Sequence, residues 1–480
     1  MAVNSRNLEN SAWNLANILV YPAAFLAATP FFINKLGEDV FGEWMLMNSY
    51  VFISVHLVGF GLSRSIMANV SAAVGENDQS KLYAYINAAS RILGIMMLTA
   101  MLIGLGIMIS PMEKTGFFDA YTWDTIAVAT FLIALKFPEL LYQNIFKGFE
   151  NYNMAAIFNM VNRLTALMVH ILLVYRGFSI LGVFAGSLAV NFIMVITLAY
   201  VIYRRLPGYK LRVLKVLKER KELYYFGFWT WLQTIIAVVS FQIDRFLIAY
   251  FLGTATVTYF VLATTITNHL HRAFEAVVSW FLPKISRIKA AEQDTQEHFY
   301  TIRAFSVGFS LFIIIGIYLI SEPLFTLWLG QEKYSKMIDF FKLFLIFESF
   351  LLMSIVPKLY LNAIRSLRFI TSLEFMYKLG IIAGMIVLFA IYKTAESLIW
   401  GQTIALVLFM PLEYYLVNKR ILKQNTIKES FLTFLPTMMI MGAILSSRWQ
   451  LTAVFIALSL LSYWFTYIRD KNFKLKWLTE

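Results

Sequence analysis

The chain reads as a succession of apolar runs of about twenty residues separated by short polar stretches. Coiled at about 1.5 Å per residue, such a run matches the hydrocarbon thickness of a bilayer. Lipid offers no partner for free backbone groups, so each run is expected to be a helix. One helix per run predicts fourteen spans, near 11–33, 41–63, 83–110, 122–146, 155–175, 179–203, 223–251, 254–282, 301–326, 337–364, 368–392, 396–418, 430–447 and 449–468. The longest loop, 204–222, holds about twenty residues, too few for a separate domain. The first run exceeds a signal-peptide core and contains Pro22 and Pro30, so it reads as a retained span.

Composition agrees: 59% of residues are hydrophobic and 14% charged, outside the range of water-soluble chains. Charge adds an orientation. About 25 of the 41 Lys and Arg residues fall at the termini and in even-numbered loops, against about 7 in odd-numbered loops. Both termini are therefore expected in the cytoplasm. The densest cluster, Arg204, Arg205, Lys210, Arg212, Lys215, Lys218, Arg220 and Lys221, reads as a topology anchor touching anionic lipid. The net charge of +13 follows largely from this bias, and basic residues that flank spans make no nucleic-acid face. With no cysteine, the chain has no disulfide, thiolate metal site or cysteine nucleophile. No phosphate-cradling glycine loop or zinc-protease motif occurs, so no cofactor is expected.

The two halves match at an offset of about 215 to 218 residues. Leu36-Gly37 corresponds to Leu252-Gly253. Pro138, Tyr142, Asn144 and Lys147 correspond to Pro357, Tyr360, Asn362 and Arg365, and Arg204-Arg205 to Lys419-Arg420. Gly182-xxx-Gly186 and Gly380-xxx-Gly384 are small-residue packing motifs in non-equivalent spans. The expected fold is all-α: two pseudo-symmetric six-helix lobes, 1–210 and 211–425, around a central cavity, then a hairpin and basic tail at 426–480. Six spans per copy give both copies the same direction, hence an axis along the membrane normal and a transporter's architecture.

Ionisable residues inside spans are costly, so each marks a cavity or a partner. In span eight Thr265, Asn268, Arg272, Glu275 and Ser279 form one polar stripe. It is either a cavity wall where Arg272 attracts an anion, or a self-satisfied Arg272 and Glu275 pair; His56 holds the equivalent place in the first copy. Span seven places Gln233, Ser240 and Asp244 on one face beside Arg245, and span five carries Asn159, Arg163 and His170. Glu374 and Lys378 have the spacing of a local pair. Arg91 and Arg303 lie near cytoplasmic ends, where long side chains snorkel. Glu348 has no local partner, so it is either a proton carrier, since desolvation favours the neutral form, or bonded to another helix. His269 and His271 point in different directions and make no metal site. The candidate basic cavity is Arg272, Arg163, His56, Arg245, Arg91, Arg303 and Lys378; the candidate ion-coupling carboxylates are Asp244, Glu275 and Glu348.

The stretch from Asn14 through Phe32 to Leu36-Gly37, Phe41-Gly42 and Trp44, with the two six-span copies, resembles the polysaccharide-transporter family. It looks like a Wzx-type O-antigen flippase of the multidrug/oligosaccharidyl-lipid/polysaccharide exporter superfamily, over nearly the whole chain. The resemblance implies a multi-pass protein of the bacterial inner membrane that moves undecaprenyl-diphosphate-linked oligosaccharide from the cytoplasmic to the periplasmic leaflet by alternating access. Its implied partners are that lipid-linked cargo, membrane lipid and other polysaccharide-assembly membrane proteins. Many such flippases have twelve spans; the extra pair at 430–468 is similar to the lipid II flippases of the superfamily. A cation-coupled drug exporter of this fold would prefer carboxylates in its cavity, and span one has none. A membrane O-antigen polymerase would need a large extramembrane loop or an acid–base pair, and neither is visible.

Overall fold

A computed structural model describes residues 5–58, 62–109, 122–206, 231–232, 234–236, 238–278, 281–290, 295–364, 366–420 and 433–468. The basic positions from Lys210 to Lys221, together with Gln233, Ser279, Arg365 and the tail beyond 468, lie outside them.

Every regular element among the described residues is helical. The order is α1 Ser5–Leu36, α2 Glu38–Val58, α3 Leu62–Gly75, α4 Gln79–Ile109, α5 Trp123–Gly148, α6 Tyr152–Tyr175, α7 Ile180–Arg205 and α8 Ile243–Leu252. Then come α9 Thr254–Val278, α10 Phe281–Ala290, α11 Gln296–Leu329, α12 Gln331–Leu351 and, after a 3-10 turn at Leu352–Ser354, α13 Ile355–Ala363. The remaining helices are α14 Leu367–Tyr392, α15 Ala395–Arg420, α16 Leu435–Leu445 and α17 Trp449–Tyr463.

Ten helices among the described residues are long and apolar enough to cross a membrane, and the chain is an all-α multi-pass membrane protein. The expectation of fourteen such spans is not matched one for one. α16 has only 11 residues, and α9 mixes its apolar residues with threonines and the charged stripe. Residues 59–61 and 279–280, near the ends of the expected spans 41–63 and 254–282, lie outside the described residues.

Glycine sets two helix junctions that the sequence offset aligns. Gly37, between α1 and α2, has φ +85, and Gly253, between α8 and α9, has φ +88. A residue without Cβ enters this left-handed region at no steric cost and stops the helix. The two junctions also pack together. A Cβ on Gly42 would overlap the Thr254 carbonyl, and Thr258 Oγ1 donates to the Glu38 carbonyl at 2.6 Å.

Contacts divide the chain into two compact units, residues 1–258 and 259–480, with the boundary inside α9. In the first, α5 packs on α3, α4 and α7, and α1 lies along α6; Phe32, Phe41, Phe137 and Phe184 are fully buried. In the second, the segment Gln331–Ala363 is almost wholly enclosed and α14 runs along α15. Gly384 and Gly401 meet main chain to main chain in that pair, the close approach that small-residue motifs permit between membrane helices.

The terminal hairpin is tied to its unit by polar atoms. Tyr463 Oη donates to the Ala304 carbonyl of α11 at 3.0 Å, and Thr437 Oγ1 reaches Met353 Sδ at 3.0 Å. Ser459 Oγ donates to the Pro436 carbonyl at 2.8 Å, which joins α17 to α16. Phe434 stands edge-on to Tyr414, 5.3 Å between centroids.

Candidate functional site

α9 separates its polar residues by face. Phe260, Phe274 and Val278 are buried, whereas Asn268, Arg272 and Glu275 are exposed along the predicted stripe. Arg272 and Glu275 form no ion pair with each other among the described residues. The self-satisfied alternative is not realised, and the Arg272 guanidinium has no ion pair among the described residues. One residue away, His271 turns inward, its Nδ1 2.7 Å from Glu348 Oε1 of α12. Glu348, 2% exposed, thus finds across helices the partner absent from its own span.

The other sequence candidates are spread over several helices. Arg163 of α6 is exposed, with its guanidinium 5.6 Å from the Tyr21 ring of α1. His56 is half-buried; its Nδ1 lies 2.7 Å from the Phe52 carbonyl and its ring 4.2 Å from that of Phe52. Arg245 Nη1 donates to Ser49 Oγ at 2.9 Å, and its backbone N–H donates to Oδ1 of the buried Asp244 at 2.8 Å. Arg91 is half-buried in α4. Arg303 does not simply snorkel: its guanidinium lies 4.8 Å from the Tyr300 ring and 5.7 Å from Tyr467 of the terminal segment. The Glu374 and Lys378 pair expected from spacing does not close among the described residues. Lys378 is within electrostatic reach of both Glu374 and Lys358, so two neighbours of opposite sign compete for it.

The most connected polar cluster was not a sequence candidate. Lys136 Nζ on α5 lies 2.7 Å from Glu139 Oε2 and donates to Asn191 Oδ1 of α7 at 2.6 Å. Glu139 Oε1 accepts from Gln143 at 2.9 Å and from Asn162 Nδ2 of α6 at 3.3 Å. The same amide nitrogen donates to Asn191 Oδ1 at 3.2 Å. Asn191 donates in turn to the Ser187 carbonyl at 2.8 Å, and His170 Nε2 lies 2.7 Å from Ser187 Oγ. Glu139, Asn162, Asn191 and His170 are all at most 9% exposed. The spacing of Lys136, Glu139 and Gln143 at i, i+3 and i+7 on one face was the available signal.

The second unit holds a looser group. Glu413 of α15 is 3% exposed and makes no hydrogen bond or ion pair among the described residues, with Lys358 and Glu374 as its electrostatic neighbours. The Lys358 ammonium lies 5.3 Å from the Tyr377 ring, and the buried Tyr377 hydroxyl has no hydrogen-bond partner among the described residues.

Comparison with known proteins places this arrangement. The profile of the family described as polysaccharide biosynthesis protein matches residues 8–289. A Shigella flexneri protein named "Putative O-antigen transporter" is 20% identical over 366 residues, 73% of this chain and 83% of its own. Among solved structures, the lipid II flippase MurJ in an inward closed conformation superposes with a TM-score of 0.69 at 14% identity, over 95% of this chain and 97% of that one. The multidrug transporter DinF-BH in complex with R6G gives 0.60 at 16% identity, over 87% and 96%. The fold is that of the multidrug/oligosaccharidyl-lipid/polysaccharide exporter superfamily.

Proposed function

Because the chain belongs to the polysaccharide biosynthesis protein family, we propose that it is a flippase for undecaprenyl-diphosphate-linked oligosaccharide, an O-antigen repeat unit. It carries this cargo from the cytoplasmic to the periplasmic leaflet of the bacterial inner membrane, both termini facing the cytoplasm. Two six-span lobes, 1–210 and 211–425, alternate access to a basic cavity between them.

The observation that carries the reading is the exposed stripe of α9, in which Arg272 is not neutralised by Glu275. A diphosphate bearing sugars cannot cross hydrocarbon uncompensated, and a guanidinium left unpaired by its neighbouring carboxylate is a group that lowers the barrier. Arg163, also exposed, supports the same role in the first lobe. His56, Arg245, Arg91, Arg303 and Lys378 are the further candidates for the basic cavity. Transport is coupled to an ion gradient or to the membrane potential, with Asp244, Glu275 and Glu348 as coupling carboxylates.

The test is surface O-antigen in a strain lacking its own flippase. The wild-type chain is expected to restore it, and Arg272→Ala to abolish it at unchanged protein abundance. Normal glycan in that variant rejects the role of Arg272. A second reading, lipid II transport, is favoured by the likeness to MurJ, which extends over 95% of this chain. Complementation of a strain depleted of its lipid II flippase separates the two.

A further inference from the structure

α14 and α15 enclose a groove of about 490 Å³. Its floor is made where Gly384 and Gly401 touch through their main chains, so no side chain fills the space beside them. Val387, Ile404 and Leu408 form its lips and are 56%, 46% and 72% exposed. Both helices are long and apolar enough to cross a membrane, so the groove opens into hydrocarbon rather than water.

Its chemistry changes in one direction. Along α15, Leu408, Leu412, Tyr415 and Lys419 recur at intervals of four, three and four residues and therefore share a face. That face runs about 16 Å from the groove to the end of the helix. Lys419 is exposed there, its ammonium 5.5 Å from the Tyr415 ring, and no carboxylate pairs with it among the described residues. An apolar slot thus leads to an unneutralised cation at a helix end. The complementary molecule has a hydrocarbon chain and an anionic head, because basic residues at a membrane surface attract anionic headgroups.

We propose that this groove seats the polyprenyl chain of the lipid-linked cargo, with its phosphate end at Lys419. The assignment rests on the flippase reading above. A single slot between two helices accommodates one chain, as a polyprenyl phosphate supplies, whereas a diacyl phospholipid brings two.

The test is native mass spectrometry of the full-length, detergent-purified chain with undecaprenyl phosphate, using phosphatidylglycerol as the competing lipid. Gly380 is the position to fill. A Cβ there would meet only the Ala405 Cβ, at 4.0 Å, so a side chain starts without main-chain overlap and Gly380→Phe is the variant that fills the groove. Undecaprenyl phosphate occupancy is expected to fall about tenfold in Gly380→Phe, with phosphatidylglycerol unchanged, and to fall in Lys419→Glu as well. Ile404→Phe fills the groove from the other helix if Gly380→Phe is not recovered folded, as judged by its melting temperature. Wild-type undecaprenyl phosphate binding in a folded groove-filled variant overturns the proposal. Equal loss of phosphatidylglycerol also overturns it, by making the groove a seat for bulk lipid. If wild-type protein binds no undecaprenyl phosphate, the groove assignment fails. Whether the flippase reading falls with it is decided separately by surface glycan in Arg272→Ala.

Discussion

Two polar regions of this membrane protein differ in what their charges have found. In the α5, α6 and α7 cluster, Lys136 and Glu139 are held by each other and by three carboxamides on three helices. On α9, Arg272 and Glu275 are one turn apart and leave each other unpaired. A closed network fixes how helices pack, because every member lost leaves another unsatisfied in low dielectric. An open stripe contributes little to packing and is free to meet a ligand. Stability and transport should therefore respond oppositely to substitution in the two regions.

The largest expected effect is that of Glu139→Ala. It strands the Lys136 ammonium and removes an acceptor from Gln143 and Asn162, a loss of about 3–5 kcal/mol. The thermal midpoint of purified protein reads it, and an unchanged midpoint would show that the network does not hold the helices. Next is His271→Ala, which deprives buried Glu348 of its hydrogen bond at a cost of about 1–3 kcal/mol. The double change Lys136→Met with Glu139→Leu tests the same network by removal rather than breakage. It should regain the part of the loss that comes from the stranded ammonium, while Gln143 and Asn162 still lack their acceptor. The smallest effect is expected for Arg272→Ala, within about 0.5 kcal/mol, although surface glycan should vanish. A large destabilisation there would erase the contrast between the two regions.

The sequence revealed helices more readily than the meetings between them. Apolar runs placed α4 through α7 closely, and the paired Leu-Gly junctions gave two helix ends that the backbone realises at Gly37 and Gly253. The count of fourteen spans is matched by ten long apolar helices among the described residues, because α9 carries its polar stripe and α16 is short. Local spacing also misled, because Glu374 and Lys378 sit four apart yet compete with Lys358. The Glu348 partner lies 77 residues away, and Asn162 meets Asn191 across 29. Such pairs depend on the rotation of each helix about its axis, which one sequence does not specify. Lys136 and Glu139 could have been seen, being three apart within one span; Glu413, without a bonded neighbour, offered no pairing signal.

The ties of the terminal hairpin bear on how the protein is made. Tyr463 and Thr437 supply groups to Ala304 and Met353, positions translated more than eighty residues earlier. At ribosomal speeds of about 5–20 residues per second, α11 and the turn after α12 wait about 4 to 30 seconds for these partners. During that interval the second unit is inserted but unfinished. A product stalled before these helices would leave the Ala304 carbonyl and the Met353 sulfur without their donors.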